Sequence, residues 1–219
     1  MRTEKVETTE QPRPGRPKSR AKRRDILEAA GRLFLQHGLQ GASMDAVARE
    51  AGVSKQTVYS HFDGKEALFS ACIRAKVSEY GFEAAAVPPP GEARAALLGL
   101  LKGFMALIVD PEVVAMHRLV AAEAASHPRI AALFFEAGPL ATRDAVRQLL
   151  APLVARGDLR PHDTTYAAWQ LLNMALGDFH MRLQFGLLER VPEAELEAHL
   201  QRVVDDFLGL YAARPEACG

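Results

Sequence analysis

Residues 54–62 hold Ser54, Lys55, Gln56, Thr57, Tyr59, Ser60 and His61 around a single aliphatic side chain, Val58, and include no carboxylate. Lys65 follows shortly after. These are hydrogen-bond donors, acceptors and one phenol ring, the equipment for reading base edges and gripping phosphates. A glutamine amide fits adenine N6 and N7 together, and a lysine suits guanine or a phosphate. The chain has no Gly-x-Ser-x-Gly elbow, phosphate loop, Gly-x-Gly-x-x-Gly turn or His-Glu-x-x-His helix. Gly64-Lys65 lacks the preceding glycine loop and the following Ser or Thr. His117, His127, His162 and His180 are scattered without an adjacent nucleophile. No catalytic residue, metal site or cofactor is therefore expected.

Two short helices can position that polar set. Ser43 is placed to cap the first, which runs to Ala51, and Ser54 to cap the second, which ends near His61-Phe62. Gly52 makes the tight turn between them, and small Ala48 and Ala51 let the helices approach. Val47, Val53 and Val58 supply a small core. The second helix is then held outward at an angle suited to a major groove. The same spacing also serves a purely structural helix-turn-helix. Three features favour nucleic acid: the acid-free face, Lys65 at the next helix start where free N–H groups also lie, and a basic segment upstream.

That segment is dense. Between Gln11 and Arg24 there are seven cations and no anion, although the whole chain of 219 residues has zero formal charge. Residues 1–24 hold nine cations against three anions, so the remainder is mildly acidic. A basic arm on an acidic body points to a local polyanion contact; a solubilising tail is the alternative. Two distant cysteines, Cys72 and Cys218, offer neither a disulfide framework nor zinc spacing. No apolar run resembles a signal peptide or a membrane span, so the expected compartment is the cytoplasm.

Elsewhere the periodicity is helical. Ile26, Ala30, Leu33 and Phe34 mark a helix from about Ser19 to His37, with Gly38 as its stop. Asp63 and Glu66 have the spacing of a capping box for a helix reaching Tyr80. Pro88-Pro89-Pro90-Gly91 is the strongest break. Beyond it helices are expected at 92–109, 111–126, 128–136, 139–156, 163–186 and 192–212. The expected fold is all-α. The divisions are a basic arm (1–18), a helix-turn-helix domain with its connecting helix (19–80), a larger helical domain (81–212) and a tail (213–219).

Residues 20–70 resemble the N-terminal domain of the TetR family of bacterial repressors. The resemblance is carried by Ala51-Gly52-Val53-Ser54, by Thr57-Val58-Tyr59-Ser60-His61-Phe62 and by Lys65-Glu66-Ala67-Leu68, without gaps. His117-Arg118-Leu119-Val120 with Glu123, and Phe134 to Gly138, are similar to the AefR-like group of C-terminal domains. The resemblance implies a dimeric DNA-binding regulator, usually a repressor, without enzymatic activity. Carried over, Lys55, Gln56 and Thr57 meet bases and adjacent phosphates. Tyr59 meets a phosphate or a thymine methyl, His61 and Lys65 anchor phosphates, and Ser43, Ser54 and Ser60 lie at the same surface. Asp45 sits where some relatives place a base reader. Arg16 and Lys18, in a stretch similar to part of an AT-hook, would touch phosphate or a narrow minor groove.

The larger domain is implied to do two further jobs. Its last two long helices, 163–186 and 192–212, would pair with a second copy, with Trp169, Leu172, Leu176, Leu183, Val203, Phe207 and Leu210 as seam or intramolecular core. The helices between 92 and 180 would surround a pocket for a small-molecule effector, lined by Phe104, Met105, Met116, His117, Phe135, Trp169 and Asn173. Arg118, Glu123 and His180 are further polar candidates. The competing reading is an architectural DNA binder without an effector.

Overall fold

The computed structural model describes residues 20–81 and 88–213. Helix α1 (Arg20–Gly41) buries Ile26, Ala29, Ala30 and Phe34, the helical spacing read from the sequence. At Gly38 the backbone leaves helical geometry (φ 66, ψ 176), and the chain continues to Gly41. The backbone requires glycine there, and the Glu123 carboxylate closes over it. Its φ is positive, and a Cβ would sit 2.3 Å from Glu123 Oε1.

Helices α2 (Met44–Glu50) and α3 (Lys55–His61) start as their sequences dictate. Ser43 Oγ accepts the Ala46 N–H at 3.1 Å, and Ser54 Oγ accepts the Thr57 N–H at 3.1 Å. The Asp63–Glu66 capping box does not form. Helix α4 (Lys65–Glu79) begins from an extended Gly64 without a side-chain cap. Two contacts hold that start instead. Lys65 Nζ donates to the Gln40 carbonyl at 3.1 Å, and Glu66 is drawn to Arg129 at 3.0 Å. A charged partner outcompetes a reciprocal backbone cap for the Glu66 carboxylate.

Helix α5 (Ala93–Ile108) leads to α6 (Pro111–Glu123), whose first turn is capped by Asp110 Oδ1 accepting from Glu112 at 2.8 Å and Val113 at 3.2 Å. Helices α7 (Pro128–Phe135) and α8 (Ala141–Ala155) are joined without a loop by a π-helical turn, Glu136–Leu140. The sequence predicts a break at Pro139. The wider turn accommodates the proline's missing N–H inside a continuous path. Within it Gly138 comes close to α4: a Cβ there would lie 3.2 Å from Ile73 Cγ2.

The helix expected over 163–186 is two helices, α9 (Thr164–Leu176) and α10 (Phe179–Gln184). The chain turns between them at Gly177 (φ 50, ψ −139). From the last helix, α11 (Glu193–Tyr211), His199 fills the break. Its Nε2 lies 3.0 Å from the Met174 carbonyl and 3.2 Å from that of Ala175. Both partners are acceptors, so Nε2 carries the proton and donates. Apart from one antiparallel bridge, Leu159 to Ala212, the regular elements among the described residues are helices.

The buried side chains form two clusters. One joins α1–α4, through Ile26, Phe34, Val58 and Phe69, to Met116, Val120, Ile130 and Leu133 of α6 and α7. Phe34 and Phe69 meet edge-to-face at 5.4 Å. The other unites α5, α8, α9 and α11 through Leu101, Leu150, Leu171 and Phe207. Of the residues read as seam or core, Leu172, Val203 and Phe207 are buried in this second cluster. Leu183 is buried as well, Trp169 and Leu176 are partly buried, and Leu210 is 48% exposed.

Replacing His199 by leucine keeps a bulky side chain but leaves two helix-end carbonyls without their donor. Stability is expected to fall by ~1–3 kcal/mol, measurable by urea unfolding followed by circular dichroism. An unchanged midpoint would mean the carbonyls find other donors.

Candidate nucleic-acid interface and internal cavity

Helix α3 buries one residue, Val58, and turns the rest outward. Gln56 is exposed and Tyr59 is 47% exposed, so both side chains are free to meet a partner. Thr57 Oγ1 lies 2.9 Å from Ser54 Oγ, so the two hydroxyls brace the helix start. Ser60 turns back, donating to the Thr57 carbonyl at 2.7 Å. His61 packs its ring 6.2 Å from Phe62. The Arg23 guanidinium sits over the same Phe62 ring, 5.3 Å from its centre, and so draws the basic end of α1 toward α3.

The residue pattern does not announce one contact. The Lys55 ammonium is 2.8 Å from Asp45 of α2, both groups being exposed. The hydrogen bond to Asp45, reinforced by its charge, holds the Lys55 pKa above its ordinary value. The reading face therefore carries a carboxylate after all, supplied from the neighbouring helix. Lys65, read as a phosphate anchor, has one donor committed to Gln40. Ser43 lies exposed at the α2 start with its oxygen used as a cap, leaving its own O–H to donate. Arg16 and Lys18 lie outside the described residues.

Behind this unit is a cavity of about 560 Å³, within the range of small-molecule sites. Phe104, Met116, His117, Trp169 and Asn173 line it together. Two of the sequence candidates do not. Met105 follows Phe104 by one helical step of about 100°, which turns it into the second core, where it is fully buried. Phe135, at the end of α7, is 48% exposed and stacks on Trp169 with ring centres 6.1 Å apart. Arg118 is engaged elsewhere, donating to the carbonyls of Leu183 and Gln184 and so closing the end of α10. Glu123 lies against Gly38.

Sequence reasoning missed the other wall. Leu27, Gly31 and Leu35 of α1 and Cys72 and Ile73 of α4 line the same cavity. Periodicity does not signal this, because Leu27, Gly31 and Leu35 flank the face of Ile26, Ala30 and Phe34 and what a flanking stripe meets is decided only by assembly. Burial pushes the Cys72 thiol up to about 12, and its Sγ lies 3.5 Å from the Leu27 carbonyl, so it stays a protonated thiol.

Two histidines meet inside. His117 and His180 have ring centres 5.1 Å apart, and His117 also meets the Phe134 ring edge-to-face at 5.0 Å. Burial, and secondarily the His180 charge, bring the His117 pKa down to about 4. Burial also lowers that of His180. Both rings are neutral near pH 7. His180 Nδ1 is buried and has no hydrogen-bond partner among the described residues. Among the described residues no group of three His, Cys, Asp or Glu side chains is arranged to hold a metal ion, and no helix is long and apolar enough to cross a membrane.

Comparison with known proteins agrees with this geometry. Residues 26–72 match the DNA-binding domain of bacterial regulatory proteins of the TetR family, and residues 95–213 match the C-terminal domain of AefR-like transcriptional repressors. A curated relative, the transcriptional repressor AcnR of Corynebacterium diphtheriae, is 40% identical over 53 residues, which are 24% of this chain and 28% of that protein. The chain thus matches little more than a quarter of such curated relatives. Solved structures match more fully. A TetR-family regulator from Mesorhizobium loti is 29% identical with a TM-score of 0.67, covering 89% of this chain and 99% of that one. The flavonoid-responsive regulator FrrA is 31% identical with a TM-score of 0.69, covering 89% of this chain and 98% of its own. A helix-turn-helix with an outward polar face, set on a helical domain of the AefR-like type, makes this chain a transcriptional regulator of the TetR family and not an enzyme.

Proposed function

We propose that this regulator is a cytoplasmic repressor that binds a palindromic operator as a homodimer and leaves it when a small molecule fills the cavity. The observation that carries this reading is the composition of the cavity wall. Helices α1 and α4, which support α2 and α3, form one side, and α5, α6 and α9 form the other. An occupant that fits one spacing of the two sides better than another shifts the population of reading-head positions. The response of FrrA to flavonoids, in a chain of like fold and 31% identity, supports a ligand-gated role.

In this reading residues 19–80 recognise DNA, and 81–212 bind the effector and dimerise. Gln56 reads a base, Lys55 and Thr57 meet bases or adjacent phosphates, and Tyr59 lays its ring or hydroxyl on the DNA. Ser43, Ser54, Ser60, His61 and Lys65 contact the backbone around them, and Arg16 and Lys18 reach a neighbouring phosphate or groove. Dimerisation runs through α9–α11. Exposed Tyr166, Met181, Phe185, Leu187 and Leu210 form apolar surface on and beside these helices that a second copy would cover. Two heads related by a two-fold axis match a palindromic site.

The direct test is selection of bound sequences from a random DNA pool by the purified protein, followed by footprinting. A discrete two-fold site is expected; diffuse coverage would instead indicate an architectural binder. On the selected site Gln56→Ala is expected to cost ~1–3 kcal/mol and to relax preference at one base position. Uniform weakening on all sequences would make Gln56 a backbone contact. Asp45→Asn removes the charge that occupies Lys55. It should raise affinity for unrelated DNA and steepen the salt dependence by about one phosphate contact. An unchanged slope in salt titrations by fluorescence anisotropy would show that Lys55 stays off the DNA.

A further inference from the structure

The charges around the cavity restrict what it can accept. Among the described residues, six charged side chains reach its wall: Arg24, Glu28, Arg32, Lys76, Glu79 and Glu112. All six belong to α1, α4 or the first turn of α6. Each is already in an ion pair within the protein. Arg24 is 3.5 Å from Glu28 and Arg32 is 3.1 Å from Glu50. Lys76 lies 3.5 Å from Glu79, 3.1 Å from Asp110 and 3.0 Å from Glu112. Lys76 is outnumbered by the carboxylates around it and so offers an anionic guest no spare charge, while the Arg24 and Arg32 pairs are exposed and contribute little.

The rest of the wall has a different character. Trp169, Phe134, Phe104 and Met116 provide flat and adaptable apolar walls, and the polar groups between them are Asn173, Thr142 and the two imidazoles. Asn173 gives one amide N–H to the Trp169 carbonyl at 2.9 Å. A charged guest would give up hydration here with no opposite charge among these side chains to offset it, a costly kind of burial. A flat ring system finds aromatic partners. His180 Nδ1 is a buried nitrogen that lacks a partner. In one tautomer it accepts a hydrogen bond and in the other it donates one, and a hydroxyl satisfies either.

We infer that the occupant is an uncharged, ring-bearing compound with a hydroxyl group, and that His180 reads this hydroxyl. The inference rests on the effector reading above and gives that effector its chemical class. His180 reaches this place because α9 breaks at Gly177. The turn starts α10 on a new line, and Arg118 fixes the far end of that short helix through its terminal carbonyls.

Three probes sharing one skeleton test this: 4-phenylphenol, 4-phenylbenzoate and 4-phenylbenzylamine, titrated calorimetrically into the full-length protein at about pH 7.5, where both imidazoles are neutral. The phenol is expected to bind at least about tenfold more tightly than either charged analogue. His180→Phe should remove about tenfold of the phenol affinity, and His180→Gln, which retains a donor and an acceptor, should keep most of it. Thermal unfolding of both variants checks that the fold is intact. Equal or tighter binding of the carboxylate or the amine overturns the inference, as does no binding by any probe or an undiminished affinity in a folded His180→Phe variant. Operator release is scored separately. A phenol that binds but leaves the DNA complex intact sinks the effector reading and leaves the chemical class standing.

Discussion

The structure depends on how the two faces of α4 are buried. One face closes the core of α1–α3 through Leu68 and Phe69; another, through Ile73, meets the π-helical turn after α7. The DNA-reading helices therefore do not own a complete core. They share theirs with Met116, Val120, Ile130 and Leu133 from the other side of the proline-rich break. Interiors are packed to the density of crystals and shift between discrete arrangements more readily than they deform. A core shared in this way couples the seating of α3 to the arrangement of α6 and α7 by packing alone. The polar ties at the seam, Glu66 to Arg129 and Lys76 to the carboxylates of Asp110 and Glu112, fix its register.

The two ends of the molecule use charge in opposite ways. At the reading face the cations stand in solvent, Lys55 beside an exposed Asp45, and a polyanion that displaced their counterions would make affinity follow ionic strength. In the cavity, charge is either neutralised by a neighbour or suppressed by burial, as in His117, whose pKa lies at about 4. The first surface suits a partner of many charges; among the described residues, the walls of the second around Trp169 and Phe134 carry no charged side chain. Cys72, between them, is kept protonated by the same burial that keeps the histidines neutral.

Much of this was legible in the residues. Ser43 and Ser54 cap the helices that their positions announce, because an Ncap hydroxyl is read from a few adjacent residues. The outward set on α3 follows from one buried Val58. What was not legible depends on distant partners. Glu66 leaves its expected cap for Arg129, which is 63 residues away. Pro139 interrupts nothing, because a π turn absorbs it, and Gly177 breaks a helix whose apolar pattern runs on unaltered. Met105 and Phe135 suit the cavity by residue type. Rotation about their helices takes one into the second core and the other outside. The contribution of α1 and α4 to the cavity is hidden for the same reason: residue type says apolar, and only assembly says against what.

Gly38 shows how such assembly constrains the chain over time. It has no side chain to contribute, yet its bare Cα is where the end of α1 meets Glu123 of α6, and its φ of 66 keeps most other residues out. A shorter residue at 123 would open the space without relieving the backbone, so position 38 stays closed to other residues whatever stands opposite it. The joint between α1 and α6 is recorded in the sequence at a residue conspicuous only for what it lacks.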